Sequence, residues 1–265
     1  ICHSIQFTPV RFSNVNFDLV LYSTPPITFT TIVNFIKKRD GAKSYLLLKD
    51  IFPQNAVDLG FLKMNSILHI FLRKKEKDLY NISDHIGCMS PANLDYLLSH
   101  NKYINPNKVS INPNSIEPIS INLTKDEISN VRLKFGIPNH LTSFLYGGNL
   151  GKPQGIEFLI QVLISNSNSK AFFVIVGDGT EFVILQKSIA DFDLKNVLLL
   201  KSLLKNEYDQ LLSACDVGLI FLDKSFTIPN YPSRLLSYME AKIPILAATD
   251  KVTDLGRIME ENEYG

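Results

Sequence analysis

The sequence predicts an α/β protein of two doubly wound, Rossmann-like domains, and three observations carry the prediction. Residues 142–248 alternate short runs that are apolar throughout with amphipathic stretches at helical spacing, the pattern of a parallel sheet covered on both faces. Residues 18–112 repeat that alternation. Between them, Asn112 to Lys125 is polar and carries Pro113, Pro118 and further Asn and Ser residues, the composition of an interdomain linker. The expected domains are 1–120 and 121–265, and 265 residues is long enough for both.

In the first domain Asp18 to Tyr22 is an apolar run stopped by Ser23-Thr24-Pro25-Pro26, so it reads as a buried strand ending in a loop. Thr28 to Arg39 has helical spacing, and Ser44 to Leu48 is a second buried strand closed by Lys49-Asp50-Ile51-Phe52-Pro53. Met64 to Ile82 is a long, basic, amphipathic helix leading to a strand at His85 to Met89. Ser90 and Pro91 then suit the cap and first position of a helix running to about His100, followed by a strand at Val109 to Asn112.

Beyond the linker, Ile128 to Phe135 is helical and Pro138 breaks it. Strands are then expected at Thr142 to Tyr146, Ala171 to Val176, Val197 to Leu200, Val217 to Phe221 and Ile245 to Ala248. Helices alternate with them at Ile156 to Ile164, Glu181 to Ala190, Lys205 to Ala214 and Ser233 to Glu240. Asp254 to Gly265 begins a further helix. With Ile1 in place of an initiator and a helix that merely starts, the chain reads as a fragment lacking both ends.

Composition narrows the function classes. Apolar residues make up 45% and charged residues 20%, enough for a sizeable core and against disorder. Basic and acidic side chains balance at 27 to 26, so there is no general field for nucleic acid. Cys2, Cys88 and Cys215 have no paired spacing for a metal or redox motif and read as free thiols of a reducing cytoplasm. Apolar runs such as Ala171 to Val176 fall far short of the roughly 20 residues that span a bilayer. The first residues lack the pattern of a signal peptide.

In doubly wound sheets ligands sit beyond the carboxyl ends of the strands, so the loops there are where chemistry is sought. Gly147-Gly148-Asn149-Leu150-Gly151-Lys152-Pro153-Gln154-Gly155 precedes a helix; it is either a phosphate cradle, with amides and Lys152 meeting the anion, or a tight glycine turn. It matches neither a Walker loop nor the dinucleotide fingerprint. In Gly177-Asp178-Gly179 the glycines keep a crevice clear, while Asp178 either accepts from a hydroxyl or caps the helix near Thr180 and Glu181. In Tyr231-Pro232-Ser233-Arg234-Leu235-Leu236-Ser237-Tyr238-Met239-Glu240, the helix start and Ser233 suit a diphosphate, and Glu240 suits two adjacent ribose hydroxyls. The alternative is an amphipathic helix with Glu240 solvated and Arg234 paired to it or to a neighbour.

These loops, in this order, resemble the donor-binding loops of family-four glycosyltransferases of the two-Rossmann-domain type. YGGNLGKPQGIEFLI, FFVIVGDGTEF and YPSRLLSYMEAKIPILAA carry the resemblance. It extends to bacterial capsule and O-antigen enzymes, including those similar to N-acetyl-L-fucosamine transferases, and KDIFPQNAV in the first half is similar to their acidic, aromatic, proline-bearing segment. The resemblance implies two domains facing across a cleft, the glycosyltransferase B fold, with further strands before Ile1 and a closing helix after Gly265. It also implies a nucleoside diphosphate sugar as donor, UDP-linked by preference, with no cofactor and no required metal. Gly148, Asn149, Gly151, Lys152, Gly177, Asp178, Gly179, Tyr231, Pro232, Ser233, Arg234, Leu236 and Glu240 would line the donor site, and main-chain groups at Ser202 and Leu203 would hold the base. The chain departs from the family at three positions. Asn149 and Gln154 stand where the family commonly has an Arg and a Lys on the diphosphate, and Pro232 stands where it commonly has a Glu.

The implied reaction passes a glycosyl group, with retention of configuration, to a hydroxyl of a lipid-linked saccharide in surface polysaccharide synthesis. Lys152 would stabilise the leaving diphosphate, and Asp50 is the candidate acceptor base or else a loop brace, with His69 and His85 behind it. The basic helix spanning Lys63 to Lys77 either lies on anionic lipid, as a peripheral contact on the inner face of the plasma membrane, or is a solvated face. The competing readings are a sugar-nucleotide epimerase of similar fold and a catalytically silent sugar-nucleotide-binding subunit.

Overall fold

β-Branched and leucine-rich runs form two separate parallel sheets in the computed structural model, which describes residues 14–118 and 123–264. In chain order the elements begin with β1 (Leu19–Ser23), α1 (Thr30–Asp40), β2 (Lys43–Leu48), α2 (Gln54–Asp58) and α3 (Ile67–Ile82). There follow β3 (His85–Cys88), α4 (Pro91–His100), a 3₁₀ turn (Pro106–Lys108), β4 (Val109–Ile111), α5 (Lys125–Phe135) and β5 (Thr142–Gly147). A second 3₁₀ turn (Lys152–Gln154) leads to α6 (Ile156–Ser165), β6 (Ala171–Val176), α7 (Phe182–Asp191), β7 (Val197–Leu200) and α8 (Lys205–Ser213). The chain ends with β8 (Val217–Phe221), α9 (Arg234–Glu240), β9 (Ile245–Ala248) and α10 (Leu255–Glu261). Cys2 and the middle of the expected linker, 119–122, lie outside the described residues.

Compactness divides the chain into two units, and the division is not a single cut. The first unit comprises residues 1–113 with 226–231 and 252–254; the second comprises 114–225, 232–251 and 255–265. The first carries a four-stranded sheet in the order β1-β2-β3-β4, every pair parallel. Its core gathers Leu46, Leu48, Leu79, Tyr80, Ile86 and Leu97, and Phe226 and Ile228 are buried among them. Polar groups of the borrowed segments are met within the same unit. Thr227 donates from its N–H to Asp58 Oδ2 at 2.7 Å, Asn93 Nδ2 donates to the Pro229 carbonyl at 3.4 Å, and the Ala92 N–H donates to Asp254 Oδ2 at 2.9 Å.

The second unit holds a five-stranded parallel sheet in the order β7-β6-β5-β8-β9. Tyr146, Leu150, Leu159, Leu163, Ile175 and Leu185 form its core. At the amino-terminal ends of β5 and β8 a polar node ties the sheet to α5. Arg132 donates to Asp216 Oδ1 at 2.7 Å and to the Ala214 carbonyl at 2.8 Å, and Asp216 Oδ2 accepts from the Ser143 N–H at 2.7 Å.

Most expected elements have their observed ends within a residue or two. Helix α5 starts earlier than the spacing from Ile128 indicated, because Thr124 and Glu127 form a reciprocal capping box that adds a turn. The short α2 and the two 3₁₀ turns have no apolar periodicity to announce them.

Arg132 is the buried member of its ion pair, with 8% of its side chain exposed against 42% for Asp216. Removing it would strand the Ser143, Ala214 and Asp216 acceptors, so Arg132→Ala is expected to lower the unfolding free energy by about 2–3 kcal/mol, less than a fully buried pair would lose. Chemical denaturation checks this. Burial pushes the Asp216 carboxyl up, but the Ser143 and Arg132 hydrogen bonds outweigh it and hold the group below the usual carboxylate range. Its contribution is therefore present above that range and disappears as pH falls through the folded-state value.

Candidate functional site

In the second sheet the strand order reverses between β5 and β8, the position at which doubly wound folds open a crevice at the carboxyl ends of their strands. Strand β5 pairs with β6 along Thr142 to Gly147 but with β8 only at Phe144↔Val217 and Leu145↔Gly218. The strands part beyond that point, and the hydroxyl of Tyr238, on α9, meets the backbone there. Tyr238 Oη accepts from the Gly147 N–H at 3.3 Å and offers its proton to the carbonyls of Leu219 at 3.0 Å and Leu145 at 3.2 Å. Glycine at 218 makes this fit possible, since a Cβ there would lie 2.5 Å from the Tyr238 ring.

The glycines of the two loops serve close approach. A Cβ on Gly147 would strike Tyr208 Oη at 2.0 Å, one on Gly177 would strike the Gly148 carbonyl at 1.8 Å, and one on Gly179 the Leu150 carbonyl at 2.3 Å. The loops interlock through backbone bonds from Gly148 to Val176, Leu150 to Asp178 and Glu181 to Leu150. The first loop is therefore held in place by the second, with Gly148 and Asn149 left exposed. Asn149 Nδ2 donates to Gln154 Oε1 at 3.0 Å, and the same oxygen accepts from the Gly151 N–H at 3.2 Å.

Asp178 caps no helix. Its Oδ2 accepts from the Ser202 N–H at 3.1 Å and its Oδ1 pairs with Lys201 at 3.0 Å, so it braces the loop after β7 that contains Ser202 and Leu203. Those hydrogen bonds hold its carboxyl below the usual range. Lys152 is exposed and lines a cavity of about 430 Å³ together with Glu157, Glu181, Asp223 and Lys224, all in the second unit. Ser233 precedes α9 without a side-chain cap, and α9 starts one residue later than the sequence indicated. Tyr231 belongs to the first unit, whereas Pro232, Ser233, Arg234, Leu236 and Glu240 belong to the second. Glu240, at the end of α9, is near enough to Lys205 to help hold that ammonium protonated, after the larger effect of its hydrogen bond to Asp209.

Arg234 lies four residues before Tyr238, on the same side of α9. Its guanidinium carbon stands 4.5 Å from the centre of the Tyr146 ring, and Nη2 would be 3.3 Å from a Cβ at position 148. The sequence reading missed Tyr146, Tyr208 and Tyr238 as organisers of this region. A glycine inside the apolar run of β8 was the available signal for Tyr238.

In the first unit Asp50 follows β2. Its N–H donates to Thr24 Oγ1, which donates to the Asp50 carbonyl, so the backbone braces the loop. The carboxyl is held in a poorly hydrated environment that pushes its pKa up to about 6. His85 Nε2 hydrogen-bonds Ser110 Oγ at 2.8 Å and the ring stacks on Tyr45, while His69 Nδ1 accepts from the Asn65 N–H. Both are held in structural contacts. Cys88 and Cys215 are free and buried, and burial pushes each thiol up to about 12.

Comparison with known proteins gives three findings. Residues 127–262, just over half of the chain, match the family described as glycosyl transferases group 1. Among curated relatives, the probable glycosyltransferase WbjE of Pseudomonas aeruginosa is 27% identical over 260 residues, covering 94% of this chain and 61% of its own length. The putative colanic acid biosynthesis glycosyl transferase WcaI of Escherichia coli K12 is 21% identical over 247 residues, covering 92% and 60%. The chain thus spans about three fifths of the length of these relatives. Among solved structures, Anabaena HepE in complex with UDP and glucose superimposes with a TM-score of 0.69 at 17% identity, covering 91% of this chain and 61% of its own. It shares the fold of two parallel-sheet α/β units.

Tyr238→Phe would leave the Gly147 N–H without its acceptor and two carbonyls without their donor, inside a fully buried site. The expected loss is about 1–3 kcal/mol of unfolding free energy, and hydrogen exchange at Gly147 is expected to quicken in step.

Proposed function

The chain belongs to the glycosyl transferases group 1 family, and from that premise we propose that it transfers a sugar from a nucleoside diphosphate sugar to a hydroxyl of a lipid-linked saccharide in surface polysaccharide synthesis. The observation that carries this reading is the interlocked pair of glycine loops at the β5/β8 reversal, with Gly148 and Asn149 exposed beside the Asp178-braced loop at Ser202. A nucleotide sugar laid there has the amides at the start of α9 for its diphosphate, main-chain groups at Ser202 and Leu203 for its base, and the Glu240 carboxylate for its ribose hydroxyls.

We propose a UDP-linked N-acetylated deoxy sugar as donor, following the resemblance to N-acetyl-L-fucosamine transferases, and retention of configuration. In the reaction the bond from the anomeric carbon to the diphosphate oxygen breaks, a bond to the acceptor oxygen forms, and the acceptor hydroxyl loses its proton. Positive charge at the departing diphosphate is the main catalytic device, with Lys152 the cation of the first loop. Asp50 is the proposed base. Its raised pKa leaves it ionised, and able to take a proton, above about pH 6.

The acceptor class draws support from a patch of the first unit. Phe61, Ile67, Leu68, Ile70 and Phe71 are exposed, Ile67 by 90%, next to Lys63, Lys74 and Lys75. Such an apolar group rimmed by lysines suits the interface of an anionic bilayer, where the side chains leave water and the ammonium groups meet headgroups. Among the described residues no helix is long and apolar enough to cross a membrane.

Four measurements test this reading. Calorimetric titration of the full-length protein is expected to find saturable binding of UDP in preference to GDP; binding of neither by a folded protein would overturn the assignment, and binding without turnover would favour the silent subunit. Sedimentation with phosphatidylglycerol vesicles should carry the protein down at low salt, and Ile67→Asp with Phe71→Asp should leave it in the supernatant. Activity should fall as pH drops through about 6, and Asp50→Asn should cut turnover by about 100-fold or more while UDP still binds. Because the folded state holds the Asp50 proton more tightly than the unfolded chain, stability should decline as pH rises from about 4 to about 6. Asp50→Asn should flatten that slope.

A further inference from the structure

The two loop positions at which the family commonly places cations hold a neutral pair in this chain. Asn149 and Gln154 are hydrogen-bonded to each other at 3.0 Å, and Gln154 also accepts from the Gly151 N–H. Neither side chain can neutralise a diphosphate. Lys152, between them in sequence, lines a cavity with Glu157, Glu181, Asp223 and Lys224.

A different cation stands at the same loop. Arg234 makes no ion pair with any described carboxylate, and its Nη1 is buried without a hydrogen-bond partner. An uncompensated, partly buried guanidinium is costly to hold. It is nevertheless held firmly. The Tyr146 ring lies 4.5 Å beneath it, a favourable cation–π distance. Tyr238, one helical turn on, is pinned by its hydroxyl to β5 and β8. Glycine at 148 leaves room for Nη2, which would stand 3.3 Å from any Cβ there. An exposed glycine under a fixed, unpaired guanidinium is an arrangement for a ligand that brings negative charge against the backbone, and the planar fork of arginine matches phosphate oxygens.

We infer that Arg234, delivered from α9 rather than from the first loop, is the residue that neutralises the diphosphate of the nucleotide sugar, in place of the cation pair absent at 149 and 154. The inference rests on the nucleotide-sugar reading above and adds to it the identity of the charge. A guanidinium clamped on Tyr146 is also poised for the leaving group: as the bond to the anomeric carbon breaks, charge grows on the phosphate oxygen and is met without rearrangement.

The test is calorimetric titration of the full-length protein with UDP and, separately, with uridine, which has the base and ribose but no phosphate. Arg234→Ala should weaken UDP at least tenfold and leave uridine binding as in the parent protein. Arg234→Lys should recover part of the loss, since charge returns without the fork. Lys152→Ala should weaken UDP less than Arg234→Ala does. Adding Asn149→Arg and Gln154→Lys to Arg234→Ala should restore UDP affinity. UDP affinity within twofold of the parent in Arg234→Ala, or equal losses for UDP and uridine in both Arg234 variants, would overturn the assignment and leave Arg234 a packing residue. Failure of the parent protein to bind either compound would instead sink the nucleotide-sugar reading, and this inference with it.

Discussion

The parting of β5 from β8 is the constraint on which the second unit depends. Two parallel strands that stop pairing leave backbone donors and acceptors to be satisfied in a dry interior. The chain solves this with one phenol. Tyr238 occupies the fork and satisfies groups from both strands, and in doing so fixes the rotation of α9. The crevice and the helix that borders it are consequences of the same few contacts. Glycines at 147 and 218 are required because the rings of Tyr208 and Tyr238 occupy the space a side chain would need.

The interlocking of the first two loops follows similar logic. Two turns whose carbonyls approach where a Cβ would stand leave little freedom to either, so the exposed Gly148 and Asn149 are presented by a rigid frame. Rigid presentation favours recognition of a ligand at this surface, because little ordering entropy is lost on binding.

Much of this architecture was legible in the sequence. The strands of the second unit are apolar throughout, so Ala171–Val176, Val197–Leu200, Val217–Phe221 and Ile245–Ala248 could be delimited from composition alone. Ser90 and Pro91 announced α4, and the structure has Ser90 accepting from the Asn93 N–H. The positions of the glycine loops at strand ends were equally readable. What each glycine and acid does in them was not, since that depends on neighbours distant in sequence: Asp178 read as either a hydroxyl acceptor or a cap, and it holds Ser202 and Lys201. The pairing of Asn149 with Gln154 was likewise hidden. Residues 228–232 pass from one unit to the other, a property that no local pattern reports.

That passage has a bearing on how the molecule can be divided. The core of the first unit includes Phe226 and Ile228, and its α4 receives a carboxylate from Asp254. A gene truncated at the linker would leave residues 1–113 without these buried side chains, and the remaining piece would carry apolar residues whose sockets had been removed. The smallest piece in which the first unit is whole already contains nearly all of the second, so neither half is a module that could be exchanged by cutting and joining at one point.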